Sequence, residues 1–464
     1  MRSFFVRGFR NALEGRERCG VHMKEIGREI QEKQKKYVLQ SWNAQKNLQP
    51  IPIEHCDNIY LYDYDGNRYT DMSSMHVNMN VGYGNKEINE AIRKKLDSYA
   101  FISEAYADKD RADLAELIIS LMPDNMGKVF FTNAGADANE NAIKIARMYT
   151  GRNKIFSRYR SYHGSSFGAG NLSGEPRRFA LEPGVPGFIK FRDPYRYRDN
   201  LPFTEEEYTR YCLKMLEEQI LYENPDNIAA IIMETITGTN GIIIPPKGYL
   251  PGVRKLCDKY GILMVCDEVM AGWCRTGKMF AFQNFDVKPD IVTFAKGVTC
   301  GYVQLGGVVV SKEIASYFDD HVLSCGLTYN GHPLACAAGV ACVHYYLDHH
   351  IEEHVQEVGK VLGEILESLK EKHACVGDVR YIGLFSSLEL VKDKATREPI
   401  VPFGKDPEGI RSRILGLLKE RGFKTFGHEN MILVAPPLII TADQIREEMA
   451  KMDEVLTIVD ETMI

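Results

Sequence analysis

An acid and a lysine stand at the ends of two short apolar runs in the middle of the chain. Asp267 follows the run ILMVC, and Lys296 follows the run DIVTFA. Apolar runs of this length predict buried strands, and an open α/β sheet binds its ligands beyond the carboxyl ends of its strands. The small residues Ala295 and Gly297 flank the lysine. This setting favours an amine that forms a Schiff base over a solvated surface charge.

The two side chains together suggest pyridoxal phosphate (PLP) chemistry. A lysine amine can bind the aldehyde of this cofactor, and an aspartate deep in the same sheet can pair with its pyridinium nitrogen. A lysine with an ordinary pKa of about 10.4 is mostly protonated at neutral pH. Burial of the site would favour the neutral amine, which can then carry a proton during the reaction.

A candidate phosphate site precedes one of the predicted helices. The segment NAGA, residues 133–136, lies between a strand-like run and an amphipathic helix. Free amides at a helix N-terminus attract phosphate, and the small residues Gly135 and Ala136 would let it approach. By itself the segment is more typical of a plain turn, but the lysine and aspartate at neighbouring strand ends reverse that preference. Within the helix, Glu140 and Lys144 have the spacing of a favourable ion pair.

Aromatic and apolar side chains near the same strand ends could enclose a cofactor ring. Tyr162 and His163 follow the strand-like run KIFSRYRS. The Tyr162 ring could stack on a heteroaromatic ring, although core packing is the commoner role for such a residue. Val269 lies two residues after Asp267 and would point to the same side if the strand continued, so it could form the opposite wall.

Two further polar features have competing interpretations. Thr328 precedes a helix rich in small residues, and its hydroxyl could donate to a phosphate or simply cap the helix. His349, His350 and His354 lie close together in the sequence, and the last two share a helical face. No third ligand is evident, so a solvated polar face is favoured and no metal site is predicted.

The pattern along the chain predicts an α/β protein. Residues 59–72 alternate apolar and polar side chains around an Asp65-Gly66 turn, which predicts a β-hairpin. From about residue 128, short apolar runs alternate with helical ones, which predicts a mostly parallel sheet covered on both faces. The predicted strands of this part are KVFF, KIFSRY, AAIIMET, ILMV, DIVTFA and LGGVVV.

After about residue 345 the pattern becomes that of a smaller α+β domain. It predicts one strand, over 381–390, and helices over 351–372, 409–421 and 442–457, in addition to a polar helical stretch over 24–48. The predicted domains are 1–75 for the N-terminal segment of a small domain, 76–344 for a large cofactor-binding domain, and 345–464 for the C-terminal part of the small domain.

The composition argues against several other classes of protein. The net charge of −6 over 464 residues gives no sign of the basic stripe that nucleic-acid binding needs. No apolar run approaches the roughly 18 residues of a membrane span. The 11 cysteines include no Cys-x-x-Cys pair, which predicts free thiols in a reducing, cytoplasmic setting.

The N-terminal segment has three interpretations. Residues 1–22 are arginine-rich and partly apolar, so they resemble a mitochondrial transit peptide. Glu14 and Glu17 argue against this interpretation, because transit peptides are poor in acidic residues. The alternatives are a solvated helix and an overlong start, with Met23 as the later initiator.

Five motifs, taken in order, resemble the class III (ω-amino acid) aminotransferases. They are F-x-N-x-G-A-x-A-N-E-x-A-x-K-x-A-R, Y-H-G, D-E-V-x-x-G-x-x-R-T-G, A-K-G and T-Y-x-G-H-P-x-A-C-A-A. The resemblance runs from about residue 40 to the C-terminus, and the combination is far more specific than any single motif. It implies PLP fold type I, with a mostly parallel central sheet in a large domain and a smaller α+β domain from both chain ends. It also implies PLP as the cofactor and aminotransferase activity.

The resemblance assigns a role to each matching residue. Lys296 would form the Schiff base with PLP and move the proton, and Asp267 would keep the pyridine nitrogen protonated. Thr328 would reach the phosphate of the neighbouring subunit's cofactor, which implies a homodimer with shared sites and leaves a tetramer open. The other implied cofactor contacts are Gly135 and Ala136 for the phosphate, Tyr162 and Val269 for the ring faces, and His163 and Glu234 nearby.

The substrate side departs from the family pattern in two places. Trp42 and His76 match substrate-pocket segments, and His76, Asn78 and Asn80 make the second of these unusually polar. A small donor with an acidic or polar head, such as β-alanine or taurine, is therefore expected. Many relatives carry a mobile arginine before the final P-P-L segment, whereas Lys424 stands near that position here. A lysine is not an equivalent carboxylate clamp, which favours pyruvate over 2-oxoglutarate as the acceptor.

The same scaffold and cofactor leave other reactions open. A β-aminoacyl thioester or 4-aminobutyrate could serve as the donor. Lyases acting on amino-alcohol phosphates, aminomutases and racemases share the fold, which does not choose among these reactions. The intact Lys296 and Asp267 argue against a non-catalytic binding protein.

Overall fold

The computed structural model describes residues 24–464, so the predictions for residues 1–22 lie outside the described residues. Its strands form three sheets. In chain order they are β1 (Ile53–Asp57), β2 (Tyr60–Asp63), β3 (Arg68–Asp71), β4 (Met126–Thr132), β5 (Lys154–Arg158), β6 (Phe188–Phe191), β7 (Ile228–Glu234), β8 (Leu263–Asp267), β9 (Ile291–Phe294), β10 (Gly306–Ser311), β11 (Val376–Ile382), β12 (Phe385–Asp393), β13 (Glu398–Pro399), β14 (Phe423–Lys424), β15 (Gly427–His428) and β16 (Met431–Val434).

Helices connect these strands and pack on the sheets. They are α1 (24–37), α2 (Ser74–Val77), α3 (Lys86–Ser98), α4 (Lys109–Ser120), α5 (Gly135–Thr150), α6 (Phe167–Leu172), α7 (Arg196–Asp199), α8 (Glu205–Tyr222), α9 (Tyr249–Tyr260), α10 (Lys312–Asp320), α11 (Pro333–Asp348), α12 (Ile351–Lys372), α13 (Ile410–Glu420) and α14 (Ala442–Thr462). Short 3₁₀ turns cover Gln45–Asn47, Pro176–Leu181, Pro225–Asn227, Ala281–Phe285 and Lys296–Val298.

The central sheet has seven strands in the order β4-β10-β9-β8-β7-β5-β6. Strands β9, β8, β7, β5 and β6 run parallel to one another, whereas β10 runs antiparallel to both β4 and β9. The predicted mostly parallel sheet is therefore confirmed, and its predicted strands are all present. The sequence prediction missed β6, because FIKF is a short, half-buried strand at the edge of the sheet and its lysine interrupts the apolar pattern.

Register brings the polar strand ends together. Glu234 is level with Asp267, and Asp267 is level with Thr293. Lys296 follows two residues after β9 ends. The carboxyl ends of three neighbouring parallel strands therefore form one edge, which is where an open α/β sheet holds its ligand.

The two ends of the described chain meet in a second sheet, ordered β1-β2-β3-β14. The predicted hairpin around Asp65-Gly66 is confirmed, and β14 lies parallel to β3, with Lys424 opposite Asp71. The buried Thr70 hydroxyl also donates to Glu448 of α14, at 2.8 Å. The exact boundaries at 75/76 and 344/345 stay predictions, and α11 crosses the second one.

The C-terminal prediction of a single strand over 381–390 is wrong. The structure has a hairpin of β11 and β12, with Ile382 opposite Phe385. Gly383 turns the chain at a φ of +58°, a conformation that glycine adopts without steric cost. The run YIGLFSSLEL is apolar on both sides of that glycine, so its periodicity does not mark the turn.

The helical stretch predicted over 24–48 ends earlier, at residue 37. Beyond it, the Asn43 side chain donates to the Ser41 carbonyl, and such local bonds compete with a helix. The helices predicted over 351–372 and 409–421 are confirmed, and the last helix continues to Thr462. Within residues 24–464, no helix is long and apolar enough to cross a membrane.

Candidate active site

A cavity of about 530 Å³ opens at the carboxyl ends of β7, β8 and β9. Most of the residues predicted to contact a cofactor line it, together with one predicted to contact substrate. Those lining residues are His76, Gly135, Ala136, Tyr162, His163, Glu234, Asp267, Val269 and Lys296.

The Asp267 carboxylate lies at the bottom of the cavity and accepts three hydrogen bonds. Nδ1 of His163 donates to Oδ2 at 2.6 Å, and Nδ2 of Asn139 donates to the same oxygen at 2.8 Å. The amide of Val269 donates to Oδ1 at 3.0 Å. The carboxylate is only 3% exposed. Buried and held by N–H donors, it suits a cationic partner such as a protonated ring nitrogen.

Asn139 is a site residue that sequence reasoning missed. Besides Asp267, its amide donates to the His163 carbonyl at 2.9 Å, and its oxygen accepts from the Thr293 hydroxyl at 3.0 Å. It is fully buried on α5. An available signal was its position four residues after Gly135, which puts both on the same face of the helix.

Lys296 lines the same cavity in a strained backbone conformation. Its φ is +48°, a region that residues with a side chain rarely occupy and that clusters at functional sites. Burial lowers the pKa of its amine to about 8, with Asp267 and Glu234 opposing the shift and Arg177 and Arg275 adding to it. More of the amine is therefore neutral near pH 7 than in an exposed lysine, and the neutral form is the one that acts as a nucleophile or proton carrier.

Glu234 organises the loop that carries Tyr162. One carboxylate oxygen accepts from the Tyr162 amide at 3.0 Å, and the other accepts from the Gly238 amide at 2.7 Å. Burial raises the pKa of Glu234, and the neighbouring Asp267 adds to that rise while His163 opposes it. Its position thus fixes one wall of the cavity relative to the sheet.

The two residues predicted to contact the faces of a cofactor ring, Tyr162 and Val269, both line the cavity. The strand alternation that would have placed Val269 does not apply, because β8 ends at Asp267 and the chain turns there. The turn nonetheless brings Val269 into the cavity, so close to α5 that a Cβ on Gly135 would lie 2.8 Å from its Cγ1.

The N-terminus of α5 fits a phosphate. The helix begins at Gly135, and Ala134, its N-cap residue, offers no side chain to the first amides. These amides lie at the cavity edge and at the positive end of the helix dipole. Gly135 and Ala136 therefore suit the phosphate of PLP, as the aspartate and lysine suit its ring and aldehyde.

The predicted Glu140–Lys144 ion pair is absent from the ion pairs of the described chain. Glu140 instead accepts from the Ser166 hydroxyl at 2.7 Å and from the amides of Gly168 and Ala169 at 2.6 and 3.0 Å. Three donors at the N-terminus of α6 outcompete a single exposed lysine, since surface pairs contribute little. The loop after Tyr162 is consequently tied to α5.

Arg177 is a second residue that sequence reasoning missed. Its guanidinium carbon lies 3.9 Å from the centroid of the Tyr162 ring and 5.0 Å from that of Trp42. Its Nε donates to Glu175, while its Nη2 is buried and has no hydrogen-bond partner within residues 24–464. Arg177 itself is outside the cavity lining, on the far side of the Tyr162 ring that it contacts. An anion that reached its free donor would gain a charge-assisted hydrogen bond. The segment GEPRRFALEP gives no local sign of this placement.

The predicted substrate residues lie at different distances from the cavity. Trp42 does not line the cavity. The centroid of its ring lies 6.4 Å from that of Tyr162 and 6.3 Å from that of His76. Lys424 is also outside the lining, and burial lowers the pKa of its amine. Burial and the nearby Lys296 lower the pKa of His76, whose ring lies 5.0 Å from that of Phe426.

Thr328 and the clustered histidines lie away from the cavity in this chain. Thr328 is exposed and does not line it. His349 contacts Glu87 at 2.9 Å, and His354 contacts the Ile440 carbonyl at 2.9 Å. Among residues 24–464, no cluster of histidine, cysteine and acidic residues is arranged to hold a metal ion.

The family model for class-III aminotransferases matches residues 42–456. This match, over a site of this geometry, means that the chain belongs to the class-III aminotransferases. The protein is therefore a PLP-dependent enzyme of fold type I, as the motifs implied. One relative is the taurine–pyruvate aminotransferase of Bilophila wadsworthia, 34% identical over 92% of this chain and 96% of its own.

Solved structures with the same fold include two informative transaminases. The crystal structure of taurine:2-oxoglutarate aminotransferase from Bifidobacterium kashiwanohense, in complex with PLP and glutamate, is 55% identical. It has a TM-score of 0.92 and covers 94% of this chain and 99% of its own. A thermostable (S)-enantioselective ω-transaminase from Thermomicrobium roseum is 36% identical, with a TM-score of 0.88, and covers 92% of this chain and 98% of its own.

Proposed function

We propose that this enzyme transfers the amino group of taurine, or of a similar small ω-amino acid such as β-alanine, to a keto acid. The placement of Arg177 carries the proposal. Its guanidinium lies against the wall that Tyr162 forms, and one of its donor nitrogens is buried and free within the described chain. A planar guanidinium binds a sulfonate or a carboxylate through two parallel hydrogen bonds.

The rest of the pocket mouth suits a short, charged donor. His76 and Asn78 line the cavity, and the aromatic rings of Trp42 and Tyr162 both pack on the Arg177 cation. Such packing holds the guanidinium in one orientation. The printed names of two relatives, at 34% and 55% identity, also contain taurine.

For the acceptor we favour 2-oxoglutarate, with pyruvate as the second candidate. The expectation of pyruvate rested on a lysine near the usual position of a mobile arginine. Arg177 comes from a different segment and supplies the bidentate group that Lys424 cannot. The 55%-identical enzyme is a taurine:2-oxoglutarate aminotransferase, whereas the 34%-identical one is a taurine–pyruvate aminotransferase.

Each site residue has a defined task in this proposal. The chemistry that PLP supplies when bound is an electron sink for the carbon that bears the amino group. Asp267 keeps the ring nitrogen protonated, and Gly135 and Ala136 hold the phosphate. Lys296 binds the cofactor and, as a neutral amine, moves a proton to and from the reacting carbon. Tyr162 and Val269 exclude water from the two ring faces.

The oligomer and the location are part of the same proposal. Thr328 is exposed in the single chain, which leaves its hydroxyl free for the phosphate of a neighbouring subunit's cofactor. We therefore propose a homodimer with shared sites, which could pair into a tetramer. The ten cysteines of the described chain are all free thiols, in keeping with a cytoplasmic enzyme.

The reaction can be tested by following the visible absorbance of the bound cofactor. Taurine should bleach the band, and 2-oxoglutarate should restore it more efficiently than pyruvate. Consumption of taurine without any need for a keto acid would instead indicate a lyase or an aminomutase. A band that responds to neither taurine nor β-alanine would overturn the proposed donor class.

The role of Arg177 can be tested by substitution. Arg177→Gln should raise KM for taurine by about 10- to 100-fold, because a charge-assisted hydrogen bond contributes roughly 1.5–3 kcal/mol. The matched control is Arg178→Gln, since Arg178 pairs with Glu182 nearer the surface. Equal KM values in the two variants would contradict an anion site at Arg177.

A further inference from the structure

We propose that Arg275 is a positioning residue for substrate recognition, because it holds the turn that carries His76 into the pocket. This inference rests on the proposed function, in which that turn faces the amino donor. Arg275 belongs to the R-T-G motif, and so far it has entered only as a charge that helps to lower the pKa of Lys296.

The short element α2, over Ser74–Val77, is a single left-handed turn and not a right-handed helix. Four consecutive residues other than glycine have left-handed φ values, between +46° and +64°. Left-handed backbone brings Cβ too close to the following carbonyl, and the conflict is worst for a β-branched residue such as Val77. Such a conformation persists only where surrounding contacts determine it, and it tends to occur at functional sites.

The strained turn forms part of the cavity wall. Met75 and His76, its two central residues, both line the cavity. An ordinary right-handed turn would direct these side chains elsewhere, since side-chain direction follows the backbone. The strained backbone therefore directs these two side chains into the cavity that Lys296 also lines.

Arg275 is hydrogen-bonded to the segment that contains this turn. Its Nη2 donates to the Ser74 hydroxyl at 3.1 Å and to the Asn80 side-chain oxygen at 2.6 Å. The Ser74 hydroxyl donates in turn to the Ala435 carbonyl at 2.7 Å. The two ends of the segment 74–80 are thus tied to one guanidinium group.

The same guanidinium also holds the C-terminal part of the chain. Its Nη1 donates to the carbonyls of Leu384 and Pro436, at 3.0 and 2.6 Å. Arg275 is fully buried, and it takes part in none of the ion pairs formed within residues 24–464. A buried cation without a counter-ion is costly. Its retention is explained if its rigid, two-nitrogen fork is needed to join these three segments.

The matched control for this role is Arg152, which makes a similar set of bonds far from the pocket. Its Nη1 donates to the carbonyls of Ile228, Tyr260 and Gly261, at 3.2, 3.1 and 2.8 Å. Ile228 begins β7, whereas Glu234, at the cavity, ends it. Lysine at either position keeps the charge and removes the guanidinium, and at position 275 it also removes the second donor nitrogen.

The experiment compares Arg275→Lys and Arg152→Lys as holoenzymes. Arg275→Lys should raise KM for taurine by about tenfold or more while the visible band and its PLP content stay as in the wild type, since small misplacements of positioning groups cost up to about 100-fold. Arg152→Lys should lower the melting temperature and leave KM unchanged. Ser74→Ala, which removes one hydroxyl only, should raise KM in the same direction.

Two results would overturn the inference. One is an unchanged KM in Arg275→Lys, or in Ser74→Ala if the lysine variant does not fold. The other is loss of the visible band together with the KM effect, which would place the role of Arg275 at the cofactor or in the fold. Failure of the wild-type enzyme to react with taurine would instead overturn the proposed function, so the two failures are distinguishable.

Discussion

Single side chains set the charge of the cofactor pocket, and Asn139 is the residue whose contribution is easiest to isolate. Its amide and the His163 imidazole both donate to one oxygen of Asp267. Removing one donor leaves the carboxylate partly desolvated without a full set of partners, which is costly in a buried site. Loss of this hydrogen bond should therefore weaken the binding of the group that Asp267 holds.

Asn139→Ala should therefore weaken PLP binding by about tenfold, the equivalent of one hydrogen bond to a charged group. Equilibrium dialysis of PLP against the apoprotein measures this directly. Asn141→Ala is the control, because Asn141 is also buried on α5 but bonds only to the Asp137 carbonyl. Equal losses in both variants would indicate a general effect on the helix.

The amine of Lys296 gives a pH prediction. Burial lowers its pKa to about 8, so below that pH most of the amine is protonated, and the protonated form cannot attack the cofactor aldehyde. The rate at which the apoprotein takes up PLP should rise as the pH increases through about 8 and then level off. A stopped-flow record of the visible band tests this, and a midpoint near pH 10 would contradict the lowered pKa.

At the scale of the elements, the packing of the loop after β5 against helix α5 depends on Gly164. Gly164 has a φ of +143°, and a Cβ there would lie 2.6 Å from Cβ of Ala136 and 2.9 Å from Cβ of Ala169. The loop can therefore lie against the N-terminus of α5 only with glycine at this position.

Gly164→Ala should separate the loop from the helix, lowering both the melting temperature and the affinity for PLP. A destabilisation of about 1–3 kcal/mol is expected from overpacking and backbone strain. Thermal unfolding with and without PLP measures both effects. Gly416→Ala is the control, because nothing lies within 4 Å of a Cβ there, and it should stabilise α13 by roughly 0.5–1 kcal/mol.

The whole molecule determines whether one chain makes a complete site. Thr328 is exposed and outside the cavity of its own chain, whereas Lys296 lies inside that cavity. If Thr328 serves the neighbouring subunit, the two residues of one site come from different chains.

A mixed dimer tests this arrangement. Lys296→Ala should be inactive, and Thr328→Val should lose PLP affinity. A dimer with one chain of each kind should recover one complete site, with about half of the wild-type activity at limiting PLP. Dimers separated by two affinity tags provide the sample. Failure of the mixed dimer to exceed either parent would show that Thr328 does not act across the interface.

The sequence by itself determined the elements and the chemistry that lies at their ends. Runs such as ILMVC and DIVTFA are apolar throughout, so they predicted β8 and β9, and with them the positions of Asp267 and Lys296. Gly135 was evident in a similar way, because it lies between a strand-like run and an amphipathic helix. Periodicity and turn composition are local properties, and a local property can be read from the chain.

Only the tertiary structure decided which side chains meet. Glu140 accepts three hydrogen bonds from the N-terminus of α6 and forms no pair with Lys144. Arg177 came to lie on Tyr162, and Arg275 came to join Ser74 with Leu384. Partners so far apart in sequence are selected by packing and by the need to satisfy buried polar groups. That selection is a property of the whole fold, which no local pattern contains.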